Sequence, residues 1–301
     1  KAVTAVDRLI KRDKVLAVIG PSTSGSTLAI IPKIEEAQIP LLSCAAAQKI
    51  TDPVKRWVFK TPQSDSLAVR KIFQHAKTHG VTAVGILSAS DAFGSAGRDE
   101  LKALAPQFGL SIVADEVFGP KDTDMTAQLT RIKGTTAQAL VVWGTNPGPA
   151  VIARNRTQLK MTMPLYMSHG VASKKFIELA GPENAESILL PAGRLIVEGQ
   201  LPASDPRRAL LAGYAKDYEQ RFKQPVSTFG GHAWDAMMLT AQGIRTAQSP
   251  EPAPVRDAVE KIRGFQGTAG TFSFSPEDHA GLTEEAFVMV RITKGDWEMI
   301  K

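Results

Sequence analysis

The stretch VLAVIGPSTSGST, residues 15–27, decides the fold class of this chain. Its apolar part, Val15–Ile19, predicts a buried strand, and the residues from Ser26 onward predict a helix. The spacing of Gly20 and Gly25 is that of a phosphate-binding loop, but Ser26 stands where that loop has its lysine. What remains is a helix N-terminus with free N–H groups, which suits a carboxylate better than a triphosphate. A plain strand–helix turn, with Ser24 or Ser26 as the helix cap, is the alternative interpretation.

The composition is that of a globular chain. Hydrophobic residues make up 43% and charged residues 22% of its 301 residues. No apolar run approaches the ~20 residues of a membrane-spanning helix. The net charge is +6, but the basic residues are scattered and lack the interleaved aromatics of a single-strand binder, so nucleic-acid binding is disfavoured. The lone Cys44 cannot form an internal disulfide and is interpreted as a small buried residue.

Apolar runs alternate with helical patterns over the first two thirds of the chain, which predicts parallel sheets covered by helices on both faces. The predicted strands are Val15–Ile19, Ile39–Ser43, Val58–Lys60, Ala83–Ser88, Ser111–Phe118, Ala139–Trp143, Pro164–Ser168 and Ser187–Leu190. The predicted helices between them are Ser26–Ala37, Ser64–His79, Ser95–Phe108, Met125–Lys133, Gly148–Leu159 and Lys174–Ala180.

The order of elements changes after Pro202. Three helices are predicted there, followed by a C-terminal hairpin: Ala209–Phe222, Ala233–Ala247, Pro254–Ile262, and the strands Phe287–Thr293 and Trp297–Ile300. One sheet cannot easily hold so many strands, so we expect two doubly wound α/β lobes, with the ligand at the carboxyl ends of the strands. The chain opens in a helical pattern without a cap, which predicts that residues preceding it are missing.

The residues that follow the predicted strands are the candidate site. They are small or hydroxylated, with an amide, an imidazole and an aromatic ring among them: Ser22–Ser24, Cys44–Ala47, Ala89–Phe93, Thr145–Pro147, His169 and Gly170. Such a set is typical of a binding site for a small polar ligand. An enzyme is disfavoured, because Ser24 is not in a G-x-S-x-G turn and no spacing joins His169 and Asp235 to it. The five histidines lie far apart, so we expect no metal site, and no cofactor is implied.

Three aromatic or imidazole side chains have two open interpretations each. His169 directly follows a strand, where it either contacts ligand or makes a structural hydrogen bond. His232 follows two glycines near a helix start, where a cap or hinge role competes with ligand contact. Phe93 either walls the ligand or belongs to the core.

Four segments together carry a family resemblance. They are KAVTAVDRLIKRDKVLAVIGPSTSGSTLAIIPKIEEAQIPLLSCAAA at the start, FGSAG at 93–97, GGHAWDAMMLTAQGI at 230–244, and GTAGTFSFSPEDHAG with VRITKGDW near the end. In this order they resemble the branched-chain amino-acid type of periplasmic substrate-binding protein, which serves ABC transporters. The likeness covers essentially the whole chain. It implies that the strand, helix and second strand with which such proteins begin are missing here.

The resemblance implies two lobes that are joined by three crossovers and close on a ligand. Residues 1–62 and 199–267 would form the first lobe, and residues 63–198 and 268–301 the second. The first lobe of such proteins holds a ligand carboxylate, which implies hydroxyl contacts from Ser24 and Thr27 and backbone contacts from Ala45 and Ala47. In the second lobe, Phe93 matches an aromatic that covers the ligand, while Asn146 and His169 stand where amino-acid binders have a tyrosine and a glutamate.

His169 determines the predicted ligand class. An imidazole cannot supply the permanent negative charge that pairs with an α-ammonium, and an unpaired buried ammonium is costly. We therefore expect a carboxylate without an ammonium, an aromatic or keto acid; pairing of His169 with a local acid would favour an amino acid again. The implied partner is an ABC permease in the inner membrane, and we expect a periplasmic monomer. The alternative function is the ligand-sensing domain of a regulator or receptor with the same fold.

Overall fold

The computed structural model describes residues 1–300. In this part of the chain the helices are α1 Ala2–Lys11, α2 Ser24–Ala37, α3 Asp65–Thr78, α4 Ala92–Leu104, α5 Thr126–Lys133, α6 Gly148–Gln158, α7 Lys174–Ala180, α8 Pro182–Ala185, α9 Arg208–Phe222, α10 Thr228–Ala247 and α11 Pro252–Glu260. The strands are β1 Val18–Ile19, β2 Leu41–Ser43, β3 Val58–Lys60, β4 Ala83–Ala89, β5 Ser111–Phe118, β6 Ala139–Trp143, β7 Leu165–Met167, β8 Leu189–Gly193, β9 Phe265–Gln266, β10 Thr271–Phe272, β11 Phe287–Thr293 and β12 Asp296–Met299.

The first sheet consists of β1, β2 and β3, all parallel. Its first strand is shorter than the predicted Val15–Ile19, because only Val18 and Ile19 pair with β2. Helix α2 begins at Ser24, two residues before the predicted start. The loop between strand and helix is therefore short, and it holds the helix N-terminus close to the carboxyl end of the sheet.

The second sheet has the order β12-β11-β8-β7-β6-β4-β5 among the described residues. Strands β4 to β8 are parallel, as the apolar runs predicted, but β11 is antiparallel to both β8 and β12. The sheet is therefore mixed, because the C-terminal hairpin adds to its edge. The hairpin turns at Lys294 and Gly295, which both have positive φ, 53° and 74°.

Several boundaries differ from the predicted ones for identifiable reasons. Strand β8 is Leu189–Gly193 rather than Ser187–Leu190, because Ser187 has a φ of 64° and is not extended. Helix α10 begins five residues before Ala233 and includes Gly230 and Gly231. A Cβ on Gly231 would lie 2.5 Å from the Thr268 Oγ1, so this glycine allows close packing. The two glycines, which were predicted to precede the helix, therefore lie within it. Strands β9 and β10 and helix α8 were not predicted.

Helices cover both faces of each sheet, as predicted. Helix α3 shows why: Ala68, Val69, Ile72, Phe73 and Ala76 recur at helical spacing, and each is fully buried against the second sheet. None of the helices in residues 1–300 combines the length and the apolarity needed to cross a membrane.

The segments that connect the two sheets are tied together by side chains. The amide of Gln63, just after β3, donates to the carbonyl of Ala269 at 2.9 Å. The carboxylate of Asp235 on α10 accepts hydrogen bonds from the backbone N–H of Thr268 at 2.7 Å and of Ala269 at 2.8 Å. These bonds place the connections beside one another. The division of the chain into lobes at residues 62, 198 and 267 stays a prediction.

Candidate functional site

A cavity of about 470 Å³ lies at the carboxyl ends of the strands of both sheets. Residues around the N-terminus of α2 and the loop after β2 form one wall: Ser22, Thr23, Ser24, Gly25, Ser26, Cys44 and Ala46. Loops that follow strands of the second sheet form the opposite wall: Asp91, Ala92, Phe93, Pro120, Thr145, His169 and Gly170. Pro62 and the start of α10, namely Thr228, Phe229 and His232, complete the lining.

The N-terminus of α2 faces this cavity without a side-chain cap. Its N-cap residue, Thr23, makes no capping bond to the described residues. The Ser24 Oγ is turned inward instead, where it accepts the backbone N–H of Ala47 at 3.3 Å. The N–H groups of the first helical turn, which have no acceptor within a helix, are thus directed to the cavity wall. Such a terminus favours a negatively charged group.

Three of the predicted first-lobe residues support this wall but do not line the cavity. Thr27 is fully buried, with its Oγ1 3.0 Å from the Oγ of Ser43. The backbone N–H of Ala45 donates to the same Ser43 Oγ at 3.1 Å, and that of Ala47 donates to Ser24. These hydrogen-bonding groups are therefore engaged within the protein, and Cys44 and Ala46 are the residues of this loop that line the cavity.

On the opposite wall, His169 is surrounded by aromatic rings. Its ring centroid lies 5.5 Å from that of Phe93, 5.7 Å from Trp143 and 5.5 Å from Phe287, each in an edge-to-face arrangement. Both ring nitrogens are buried and have no hydrogen-bond partner among residues 1–300. Burial, with smaller contributions from the neighbouring His232 and Lys60, lowers the pKa of His169 to about 3. The imidazole is therefore neutral at ordinary pH and has one N–H and one lone pair.

Two charged groups that the sequence did not reveal lie behind His169. The carboxyl of Asp65 is fully buried, with its Oδ1 3.7 Å from the Nε2 of His169. The ammonium of Lys60 is also fully buried and donates to the carbonyl of Ala46 at 2.8 Å. Burial raises the pKa of Asp65 to about 7 and lowers that of Lys60 to about 8, and each group moderates the shift of the other. The only indication of these buried groups in the sequence was Lys60, a lysine at the end of an apolar predicted strand.

His232 is the fifth residue of α10 and lines the cavity. It does not cap the helix, because the Ser227 side chain does so by accepting the N–H of Gly230 at 3.4 Å. The cap interpretation of His232 is therefore wrong. Its ring is 5% exposed, and burial lowers its pKa to about 3, with a smaller contribution from Lys60.

The cavity brings together five of the nine predicted ligand contacts: Ser22, Ser24, Phe93, His169 and His232. Thr27, Ala45, Ala47 and Asn146 lie outside the lining, and next to Asn146 it is Thr145 that reaches the cavity. Sequence reasoning missed Thr228 and Phe229, because α10 was expected to start after them. No assembly of three metal-ligating side chains occurs in the described part of the chain.

An α/β fold of two sheets that share a cleft at the carboxyl ends of their strands is typical of solute-binding proteins. The sequence matches the family model described as periplasmic binding protein over residues 1–296. The Leu/Ile/Val-binding protein BraC3 of Rhizobium johnstonii is 23% identical over an alignment of 301 positions that covers 98% of this chain and 77% of that protein.

Solved structures agree. An extracellular ligand-binding receptor from Rhodopseudomonas palustris HaA2 is 26% identical with a TM-score of 0.94, over 99% of this chain and 86% of that one. The branched-chain amino-acid transporter substrate-binding protein LivJ from Streptococcus pneumoniae, in complex with isoleucine, is 23% identical with a TM-score of 0.85, over 100% and 83%. The chain therefore belongs to the periplasmic binding protein family, and the resemblance drawn from its sequence is confirmed.

Proposed function

We propose that this chain is the solute-binding component of an ABC importer and captures a small carboxylate that lacks an ammonium group, an aromatic or keto acid. The observation that carries the proposal is the pairing of an uncapped helix N-terminus on one wall with a neutral imidazole on the other. A periplasmic location and an inner-membrane permease as partner belong to the same proposal.

The carboxylate is held by the first wall. Ser22, Gly25 and Ser26 line the cavity at the start of α2, and their backbone N–H groups and the two serine hydroxyls are the donors that we assign to the carboxylate. Charge-assisted hydrogen bonds from such donors are roughly twice as strong as neutral ones, and the helix dipole adds to them. A lysine is not needed for a single negative charge.

The remainder of the ligand meets the second wall. The rings of Phe93 and His169 offer an apolar and aromatic surface, and His169 has both ring nitrogens unsatisfied by the protein. A second oxygen on the ligand, such as that of a keto group, would bond to this neutral ring after a rotation that brings one of the buried nitrogens to the cavity surface. An ammonium would face the same ring without a compensating charge, which carries a cost.

An α-amino acid is the second candidate, because of two carboxyl groups. Asp91 lines the cavity, and its Oδ1 accepts the N–H of Gly94 at 2.8 Å, so Oδ2 is available to an ammonium. Asp65 lies 3.7 Å from His169, so that a local acid is near the imidazole. The names of BraC3 and LivJ also point to amino acids for those relatives.

The test is a binding screen with matched pairs that differ only at the α-carbon. Phenylalanine is compared with phenylpyruvate and 3-phenylpropanoate, and leucine with 4-methyl-2-oxopentanoate, by thermal shift and calorimetry. Ligand at a hundredfold excess over Kd stabilises the protein by about 2.7 kcal/mol, well within detection. We expect the acids without nitrogen to bind, and the amino acids to bind at least tenfold more weakly.

Two variants test the roles of His169 and Asp91 in ligand binding. His169→Phe keeps the ring packing but removes the nitrogens, so it should weaken the keto acid more than the 3-phenylpropanoate. Asp91→Asn should leave the affinity for both acids unchanged. Binding of the amino acids alone, lost in Asp91→Asn, would establish the second candidate and refute the first.

A further inference from the structure

A second cavity, of about 290 Å³, lies apart from the ligand cleft, beside the segments that connect the two sheets. Its polar lining residues are Arg194, Asp205, Arg207, Thr271, Thr283 and Glu285. Arg207 immediately precedes α9, and Thr271 is in β10, so the lining comes from distant parts of the chain. This cavity shares no lining residue with the cleft.

Arg207 is the unusual member of this group. It is 5% exposed, yet its guanidinium forms no ion pair and donates no hydrogen bond to any residue of 1–300, and its Nη1 is completely buried. A guanidinium has five N–H donors, and a buried charge without a partner is strongly destabilising. Burial lowers the pKa of Arg207 and the nearby Arg194 adds to that shift, while the carboxyl groups of Asp205, Asp235 and Glu285 oppose it without forming an ion pair with the guanidinium.

The carboxylate nearest in sequence is already engaged elsewhere. The Oδ1 of Asp205 accepts the backbone N–H of Arg207 at 2.9 Å, and its Oδ2 lies 3.3 Å from the Nε of Arg194. Asp205 therefore neutralises Arg194 and orients the backbone, while the side chain of Arg207 is left without an acceptor. Glu285 is exposed, and its backbone carbonyl, rather than its carboxylate, accepts a hydrogen bond from Arg194.

We propose that this cavity binds a small monovalent oxyanion through Arg207. One charge is favoured because the Arg194–Asp205 pair leaves a single uncompensated cation, and Glu285 opposes a second negative charge. An oxyanion is favoured because the planar guanidinium fork donates two parallel hydrogen bonds to two oxygens. The hydroxyls of Thr271 and Thr283 are on the same cavity surface. The proposal is independent of the ligand that the cleft binds.

Nitrate and acetate are the probes, with sulfate as the divalent comparison, titrated into the full chain at an ionic strength held constant with sodium chloride. The first readout is the arginine side-chain ¹⁵N NMR spectrum. We expect the Arg207 resonance to shift saturably with nitrate and acetate, more strongly than with sulfate. This measurement uses the unaltered protein and so does not depend on whether a variant folds.

The second readout is the anion-dependent rise in Tm. It should be present in the unaltered protein and in Arg245→Gln, which alters an exposed arginine of α10, and absent in Arg207→Gln. Arg207 does not line the cleft, so loss of the rise in Arg207→Gln separates this cavity from the cleft. An Arg207 resonance insensitive to all three anions, or an equal rise in Tm in Arg207→Gln, would overturn the proposal.

Discussion

The Nε2 of His169 lies 3.7 Å from the Oδ1 of Asp65, and both side chains are withdrawn from solvent, with 7% and 0% of their surface exposed. Such a pair would be an ion pair only if the imidazole were protonated, and burial lowers the pKa of His169 to about 3. The ring is therefore neutral beside a carboxyl whose own pKa burial raises to about 7. The imidazole itself therefore supplies no charge to the cleft, and the charged groups near it are Lys60 and Asp65.

The pH dependence of stability should reveal the buried imidazoles. The pKa of His232 is about 3 in the folded protein and 6.5 in the reference state, so between these values the unfolded chain binds more protons. Stability from this group is present above pH 6.5 and falls as the pH decreases towards 3. His232→Gln should reduce the slope by up to about 1.4 kcal/mol per pH unit, measured by urea unfolding between pH 4.5 and 7.5.

Met237→Gln, at an exposed position of the same helix, is the control, because it changes no titratable group. Its slope should equal that of the unaltered protein. If His232→Gln also kept the full slope, His232 would have to be accessible to protons in the folded state.

The contact between Gly97 and Trp143 should be intolerant of any side chain. A Cβ on Gly97 would lie 2.0 Å from the indole Nε1, which is buried in the second sheet. Gly97→Ala should therefore destabilise the protein by at least about 2 kcal/mol through overpacking. Gly213→Ala is the matched control: it is also helical but meets nothing within 4 Å, so it should stabilise by roughly 0.5–1 kcal/mol. Urea midpoints moving in the same direction would contradict this reading of the packing.

Asp235 should stabilise the connection between the sheets as an acceptor of three hydrogen bonds. Besides the two backbone N–H groups of Thr268 and Ala269, it accepts the hydroxyl of Thr268 at 3.1 Å. In Asp235→Asn the amide NH₂ replaces one oxygen and leaves a buried N–H without an acceptor. The expected loss is about 1–3 kcal/mol in unfolding free energy. Thr240→Val, which removes the intrahelical hydroxyl bond to Ala236 in the same helix, should cost less. A larger loss of unfolding free energy in Thr240→Val than in Asp235→Asn would show that the hydrogen bonds of Asp235 contribute less to stability than we predict.

What the sequence could predict was local. Strand β3 at Val58–Lys60 and helix α7 at Lys174–Ala180 were predicted with their bounds, because apolar runs and helical spacing are properties of neighbouring residues. The start of α10 was missed, since glycines have a low helix propensity and the close approach of Thr268 to Gly231 involves a residue far along the chain.

The candidate site was also predictable only in part. The loops that follow the strands were correctly expected to meet, because the carboxyl ends of parallel strands share one edge of a sheet. Which side chain of each loop turns inward depends on hydrogen bonds such as that between Thr27 and Ser43, and no periodicity encodes these. The proximity of Asp65 to His169 is likewise a product of packing between separate elements.

The two serines at the start of α2 should have different roles. Ser24 should support the cavity wall, and Ser26 should contact the ligand. Ser24 is buried and accepts the N–H of Ala47, so Ser24→Ala leaves that N–H unsatisfied and should cost about 1–3 kcal/mol in stability.

Ser26 is half-buried, lines the cavity and makes no side-chain hydrogen bond to residues 1–300. Ser26→Ala should therefore leave unfolding within about 0.5 kcal/mol of the unaltered protein, as for surface substitutions. Its affinity for the bound carboxylate should nevertheless fall by roughly three- to tenfold, which corresponds to one hydrogen bond. Urea unfolding and calorimetry on both variants give the comparison. If Ser26→Ala bound the carboxylate as tightly as the unaltered protein, the backbone N–H groups of α2 would hold the anion without the hydroxyl.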